Sequence, residues 1–278
     1  MEDRILKLGL VGAGRIGRVH AEHLQRHLAG AALVIVADAH EAVARDCAAR
    51  LQIPEATADY RRVTDHPDVD AVLICSPTDT HLEVILAAAA AGKHIFCEKP
   101  IDSDLGRIDR ALAAVRQAQI VFQVGFNRRF DANFRRVRRA VVDGEIGTPH
   151  QVHLISRDPA PPPLSYIKQS GGIFTDMTIH DFDMARFLVG DEVVRLYATG
   201  TALVDPKIGE AGDIDTATIL LEFAQGAVGV IENSRRAVYG YDQRVEVFGS
   251  GGSARIDNNY PNTAILSGAK MVDRKSVV

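Results

Sequence analysis

The sequence predicts an α/β protein in which a doubly wound parallel sheet is followed by an α+β domain with a largely antiparallel open sheet. Three observations carry this prediction. Over residues 5–124, short apolar runs alternate with helical stretches. A glycine-rich turn stands between the first run and the first helix. Near residue 125 the texture changes to period-2 alternation separated by Gly-rich turns, as in "FGSGGSARI". The predicted domains are therefore 1–125 and 126–278.

In the first half the apolar runs are "ILKLGLVG", "LVIVAD", "AVLICSP", "HIFCEK" and "VFQVGF", with helices predicted at 16–29, 40–51, 80–91 and 104–118. Continuous apolar strands with helical crossovers are buried on both faces, which is the signature of parallel pairing. In the second half a helix is predicted around 130–143, then a turn at "GEIGTP". Strands follow at 150–157, 193–203, 214–223, 227–236, 243–249 and 253–257, interrupted by one strong helix at 173–189. Their partial alternation suits an antiparallel sheet with one solvated face. "RDPAPPPLSY" reads as a stiff loop.

Composition narrows the function. The 278 residues are 46% hydrophobic and 24% charged, with net charge −4 and a sequence pI near 6.2. That balance argues against a nucleic-acid partner. The one basic block, "RRFDANFRRVRRA" at 128–140, has helical spacing and is expected to be mostly a solvated helix face. Cys47, Cys75 and Cys97 are odd in number and lack metal-ligand spacing, which favours reduced thiols in a cytoplasm. No apolar run approaches the roughly 20 residues that span a bilayer, and "MEDRILKLGLVG" enters a strand at once, without a secretory signal.

The first turn reads Gly12-Ala13-Gly14-Arg15-Ile16-Gly17. A lone G-x-G-x-x-G is weak evidence, but this one follows a predicted strand and opens a predicted helix. In that context Gly12 permits the tight turn, Gly14 lets a pyrophosphate approach the backbone, and Gly17 lets the helix pack on its strand, as in a Rossmann fold. The helix N-terminus offers N–H groups to the phosphates. The second strand ends at Asp38, 21 residues after Gly17, where a carboxylate can accept from both adenosine ribose hydroxyls. A 2′-phosphate there would meet a repulsion of roughly 4 kcal/mol at about 4 Å and an effective dielectric near 20. NAD is therefore predicted over NADP. The plainer alternative is a structural glycine turn with an exposed acid.

Ser76, Pro77 and Thr78 leave the fourth strand at its carboxyl edge, where ligands of open α/β sheets bind. Thr80 and Glu83 fit a capping box for the next helix. Lys99, held extended by Pro100, ends the fifth strand beside the nucleotide crevice; a surface lysine is the bland reading. Asp176 and His180 lie four residues apart and are expected to share one helix face, with the acid orienting the imidazole. Read alone, they would more simply be a helix-terminal acid and a satisfied core histidine. No metal is predicted: His20, His23 and His27 share a side of the first helix but have no acid partner in the sequence pattern.

Six segments in order, "VGAGRIGRVHAEHL", "CSPTDTH", "CEKP", "GFNRRFD", "GGIFTDMTIHDFDMARFL" and "NSRRAVYGYDQRVEVFGSGG", resemble the Gfo/Idh/MocA oxidoreductases over nearly the whole chain. The last three together are most similar to the inositol 2-dehydrogenases of that family. The resemblance implies oxidation of a cyclic polyol, myo-inositol giving 2-keto-inositol (scyllo-inosose), by hydride transfer to NAD. It implies that Lys99, Asp176 and His180 are catalytic and also touch the substrate, joined by Asn127, Arg129, Asp158 and Tyr239. It implies a cofactor site of Gly12, Ala13, Gly14, Arg15, Ile16, Asp38, Ser76, Pro77, Thr78, His81, Glu98 and Lys99. It also implies a small-molecule substrate, no membrane partner and a homo-oligomer, dimer or tetramer. Family members continue beyond this chain, and "AKMVDRKSVV" does not match their usual ending, so weakened stability or assembly is an expectation. The alternatives are another inositol isomer, a pyranose sugar, or a catalytically silent NAD-binding protein.

Overall fold

The computed structural model describes residues 4–168, 170–258, 266–267 and 272–273. The chain divides into two compact units, Met1–Phe126 and Asn127–Val278.

In the first unit, strands β1 (Leu6–Val11), β2 (Ala31–Ala37), β3 (Glu55–Thr57), β4 (Ala71–Ile74), β5 (His94–Cys97) and β6 (Phe122–Val124) form one sheet in the order β3-β2-β1-β4-β5-β6. All neighbours run parallel. Helices α1 (Arg15–His27), α2 (Glu41–Leu51), α3 (Arg61–Thr64), α4 (His81–Ala90) and α5 (Leu105–Ala118) make the crossovers. Successive strand residues point to opposite faces, and both faces are covered. Leu8, Leu10, Leu33 and Val36 meet Ala21, Ala44 and Cys47 from α1 and α2. Val11, Ile35, Val72 and Ile74 meet Leu82, Ile85, Ala111 and Val115 from α4 and α5. This is the doubly wound sheet that the apolar runs predict. The short β3 and α3 carry too few residues to leave a periodic signal.

The second unit opens with α6 (Ala132–Val142). It continues with β7 (Pro149–Arg157), α7 (Leu164–Ile167), α8 (Ile179–Val189), β8 (Val193–Thr201), α9 (Pro206–Glu210), β9 (Thr216–Phe223), β10 (Val228–Ser234), β11 (Asp242–Gly249) and β12 (Gly252–Ile256). The sheet order is β12-β11-β7-β10-β9-β8. Of its five pairings four are antiparallel, and the fifth, β7–β10, is parallel. One face packs on α6 and α8: Leu154, Ile219, Ile231 and Val247 meet Phe134, Val137, Met184 and Leu188. On the other face Thr218, Leu220, Glu222, Glu246 and Phe248 are exposed, as period-2 alternation requires. A two-residue pair, β13 (Leu266–Ser267) with β14 (Val272–Asp273), lies in the tail. Most of the segment expected to depart from the family's ending falls outside the described residues.

The basic block divides into two parts. Along α6, Arg136 and Arg139 pair with Glu145 and Asp143 at the surface, the solvated face expected. Arg128 and Arg129, in the 3₁₀ turn before it, instead turn inward to Asp181 and Asp183. Among the described residues, no helix is long and apolar enough to cross a membrane.

A buried carboxylate locks one end of this sheet. Asp242, at the start of β11, accepts from Arg244 Nε at 2.7 Å, Asn258 Nδ2 at 2.7 Å, Tyr239 Oη at 2.6 Å and Arg157 Nη1 at 3.1 Å. Burial alone would raise its pKa, but the hydrogen bonds from Arg244, Tyr239 and Asn258 outweigh it and hold the carboxyl well below the usual range. A lowered folded-state pKa supplies stability that is present above the unfolded carboxylate pKa and is lost as pH falls towards the folded value. Asp242→Asn is therefore expected to lose about 1.5–3 kcal/mol at pH 7. That difference should shrink below about pH 4, which denaturant melts at the two pH values check.

Candidate active site

The carboxyl edge of the first sheet is built around missing side chains. Gly12 has φ +95°, and a Cβ there would collide with Cys75 and the Ser76 backbone at the end of β4. A Cβ on Gly17 would strike the Gly12 carbonyl. Only glycine lets α1 start this close to β1 and lets β1 lie this close to β4, where the strand order reverses. Gly14 differs, since nothing stands within 4 Å of where its Cβ would be. Gly14 is the N-cap of α1 and supplies no side-chain cap, so the first N–H groups of the helix are left for a ligand. Ala13 is buried, Ile16 half-buried and Arg15 exposed. Asp38 accepts from Ala13 N–H at 2.9 Å through Oδ2 and from His40 N–H at 2.9 Å through Oδ1. Two bonds use about half of a carboxylate's four acceptor sites and leave capacity for ribose hydroxyls. An open backbone approach, an uncapped helix N-terminus and an acid at the end of β2 fit NAD.

The loop after β4 departs from expectation in two places. Thr80 makes no capping bond. Its hydroxyl donates to the Pro77 carbonyl at 2.7 Å and meets Ser76 Oγ at 2.7 Å, so the predicted capping box is replaced by a tie inside the loop. His81 is 1% exposed, with Nε2 2.8 Å from the Ser76 carbonyl and Nδ1 2.9 Å from the Pro100 carbonyl. Both ring nitrogens of His81 thus join the β4 loop to the β5 loop. Pro77 is exposed, and Ser76 and Thr78 are half-buried at the edge. Lys99 is half-buried just past β5, and its bond to Pro100 is cis. Glu98 meets His20 Nε2 at 2.7 Å, which gives the first-helix histidine the acid partner absent from the sequence pattern. Among the described residues no group of three or more His, Cys, Asp or Glu could hold a metal ion. Burial, aided by the Glu98 charge, pushes the Cys75 thiol up to about 12, and burial raises Cys97 and Cys47 as well. All three are free thiols of low reactivity.

In the second unit Gly171 (φ +78°) and Gly172 (φ +88°) turn the chain into a five-residue π turn, Phe174–Thr178, that leads into α8. Asp176 sits in this π turn and His180 in the first turn of α8. The α-helical face expected for the pair is thus replaced by a wider turn, a feature enriched at functional sites. The end of β10 pins this junction. Asn233 accepts from Thr178 Oγ1 at 2.6 Å and donates to Asp181 Oδ2 at 2.8 Å, and Asp181 also accepts from Ser156 Oγ and Arg128. Asp176 accepts from Tyr166 Oη at 2.8 Å and from Arg235 Nη1 at 3.2 Å. Arg235 is fully buried, and its Nη2 reaches Asp213 at 3.3 Å. Asp158 is half-buried beside this group. Burial raises its pKa, the Arg235 charge opposes that and the Asp176 charge adds to it.

Arg129 and Tyr239 both have protein partners. Arg129 grips Asp183 with Nε at 2.8 Å and Nη2 at 2.6 Å and lies over the Phe187 ring. Nε and Nη2 of its guanidinium are committed to this structural partner. Tyr239 gives its hydroxyl proton to Asp242 and accepts from Arg157 Nη1 at 3.1 Å. Asn127 is exposed at the start of the unit. Arg235, Asp213 and Tyr166 were not predicted. The signal for Arg235 was available: inward-facing Ile231 and Asn233 on β10 place residue 235 on the buried side by period-2 alternation.

Comparisons with known proteins identify the family of the chain. Residues 6–126 match the domain described as the oxidoreductase family, NAD-binding Rossmann fold, and residues 134–255 match the GFO/IDH/MocA C-terminal domain. The chain is 50% identical to the myo-inositol 2-dehydrogenase of Thermotoga maritima over 94% of its own length and 78% of the relative's. It is 51% identical to the inositol 2-dehydrogenase of Rhizobium meliloti over 92% of its length and 77% of the relative's. Among solved structures, the scyllo-inositol dehydrogenase of Lactobacillus casei with bound NAD(H) and scyllo-inositol superposes with a TM-score of 0.90 at 32% identity, covering 98% of this chain and 82% of the other. With both domain types matched in order, the chain belongs to the Gfo/Idh/MocA oxidoreductase family.

Proposed function

We propose that the chain is an NAD-dependent polyol dehydrogenase that oxidises a secondary alcohol of a cyclic polyol, converting myo-inositol to 2-keto-inositol (scyllo-inosose). The observation that carries this reading is half-identity, over more than nine-tenths of the chain, to proteins named as inositol 2-dehydrogenases. NAD, when bound, accepts the hydride from the carbinol carbon. His180 takes the hydroxyl proton as general base, a contribution of about 10²–10⁴ in rate. The Lys99 ammonium stabilises the negative charge that develops on the substrate oxygen. Asp176 accepts a hydrogen bond from a substrate hydroxyl and orients His180, and Asp158 and Asn127 complete the polyol contacts. The Gly12–Ile16 turn, Asp38 and the Ser76–Thr78 loop hold the cofactor, and Asp38 favours NAD over NADP. The bound scyllo-inositol of the Lactobacillus casei protein makes that isomer the second reading.

Three unpaired, buried cysteines support a reducing, cytoplasmic setting. We also infer self-association through the open face of the second sheet, as a dimer or tetramer. Exposed Leu220 faces exposed Tyr197 across the β8–β9 register, and Phe248 is half-exposed on the same sheet.

NADH absorbance with a panel of inositols and sugars tests the reaction, and turnover of myo-inositol is expected. NADH binding with no turnover of any polyol would favour a silent nucleotide-binding protein. Lys99→Ala and His180→Ala should each retain NADH binding and lose turnover by at least about 10²; near-normal rates would remove that residue from the mechanism. Equal affinity for NADP and NAD would defeat the role given to Asp38. Sedimentation at micromolar concentration should find an oligomer, and a monomer throughout would overturn the assembly reading.

A further inference from the structure

Arg235 presents a physical problem. It is the largest fully buried side chain of the described residues. Its guanidinium bridges two carboxylates, Asp176 Oδ2 at 3.2 Å and Asp213 Oδ2 at 3.3 Å. Its Nε is buried with no hydrogen-bond partner among the described residues. Stability does not demand this arrangement. Replacing a buried ion pair by apolar residues of similar volume is often neutral or stabilising, and an unsatisfied buried donor is unfavourable. The trio therefore calls for a role other than filling the core.

Its geometry supplies one. A guanidinium is planar and rigid, so carboxylates bound to its two terminal nitrogens are held at a set separation. Asp213 is itself fixed. Its Oδ1 accepts from Ile173 N–H at 3.0 Å, and a Cβ on Gly172 would stand 3.0 Å from that oxygen. Asp213 thus grips the backbone where the π turn begins and, through Arg235, the side chain at the turn's centre. Tyr166 Oη holds the other Asp176 oxygen at 2.8 Å. A single aspartate outside the turn determines both where the turn starts and where its acid points.

We propose that Arg235 and Asp213 are positioning residues: Asp213 anchors Arg235, and Arg235 fixes the Asp176 carboxylate in the orientation that receives a substrate hydroxyl. The proposal rests on the reading of Asp176 as a substrate-binding acid. Neither Arg235 nor Asp213 touches the polyol; both act through Asp176.

The test uses the full chain and two conservative changes. Asp213→Asn keeps the side-chain shape and an oxygen for Ile173 N–H but removes the charge that holds Arg235. Arg235→Lys keeps the charge and removes the fork. Each is expected to lower kcat/KM for the polyol about 10- to 100-fold while NADH affinity stays within about twofold. Added to Asp176→Asn, either change should cost less than about a further twofold, because a residue acting only through Asp176 has nothing left to position. Losses that multiply fully in the double variants would overturn the proposal. Crystal structures of the two variants give a readout independent of turnover. The Asp176 carboxylate should shift away from its contact with Tyr166 while the π turn persists, and an unmoved carboxylate would also overturn it. If the unmodified protein oxidises no polyol, the functional reading fails and the crystal structures alone decide the positioning role. Failure of both variants to fold would make the trio a structural tie and end the proposal.

Discussion

A guanidinium with no exposed surface must be met by carboxylates, and this requirement organises the second unit. Arg235 draws Asp176 from the π turn and Asp213 from the loop before β9 to a single point at the end of β10. Removing one partner of such a buried pair typically costs about 3–5 kcal/mol, because the survivor keeps its desolvation penalty. Around the trio the same rule repeats. Asp181 is satisfied by Arg128, Ser156 and Asn233, and Asp242 by Arg244, Tyr239, Asn258 and Arg157. Buried acids surrounded by committed donors keep their positions.

The first unit solves a different problem by subtraction. Its ligand edge exists because Gly12 and Gly17 carry no side chain where β1, β4 and α1 converge, and because Gly14 leaves its surroundings open. A dinucleotide's phosphates need donors without bulk, and an uncapped helix start provides them. The loops behind this edge are stiffened by hydrogen bonds. His81 links the carbonyls of Ser76 and Pro100, and Arg107 donates to both Asp102 and the Asp79 carbonyl. Lys99 stands two residues past the end of β5 and precedes a carbonyl held by His81.

The π turn connects sequence chemistry to site chemistry. Two left-handed glycines lead into it, and Thr178 is held to the sheet by Asn233. The turn displaces Asp176 from the place an unbroken α-helix would give it. The four-residue spacing of Asp176 and His180 is visible in the sequence; the wider turn is not, since it follows from contacts with β10 and Asp213, remote in the chain.

What the sequence alone determined was set by local rules. Alternating apolar runs and helical stretches gave the parallel sheet, period-2 alternation gave the second sheet, and the glycine spacing gave the close turn between β1 and α1. Each of these depends on residues within a few positions of one another. Tertiary structure alone decided which polar side chains are available to a ligand. His81 became a staple, Arg129 a partner for Asp183, Tyr239 a donor to Asp242, and Arg235 the hidden centre of the second unit. The reason is that a hydrogen bond or ion pair is allotted by proximity in space. A histidine or arginine reads the same in the sequence whether its donors face a substrate or a carbonyl or carboxylate tens of residues away.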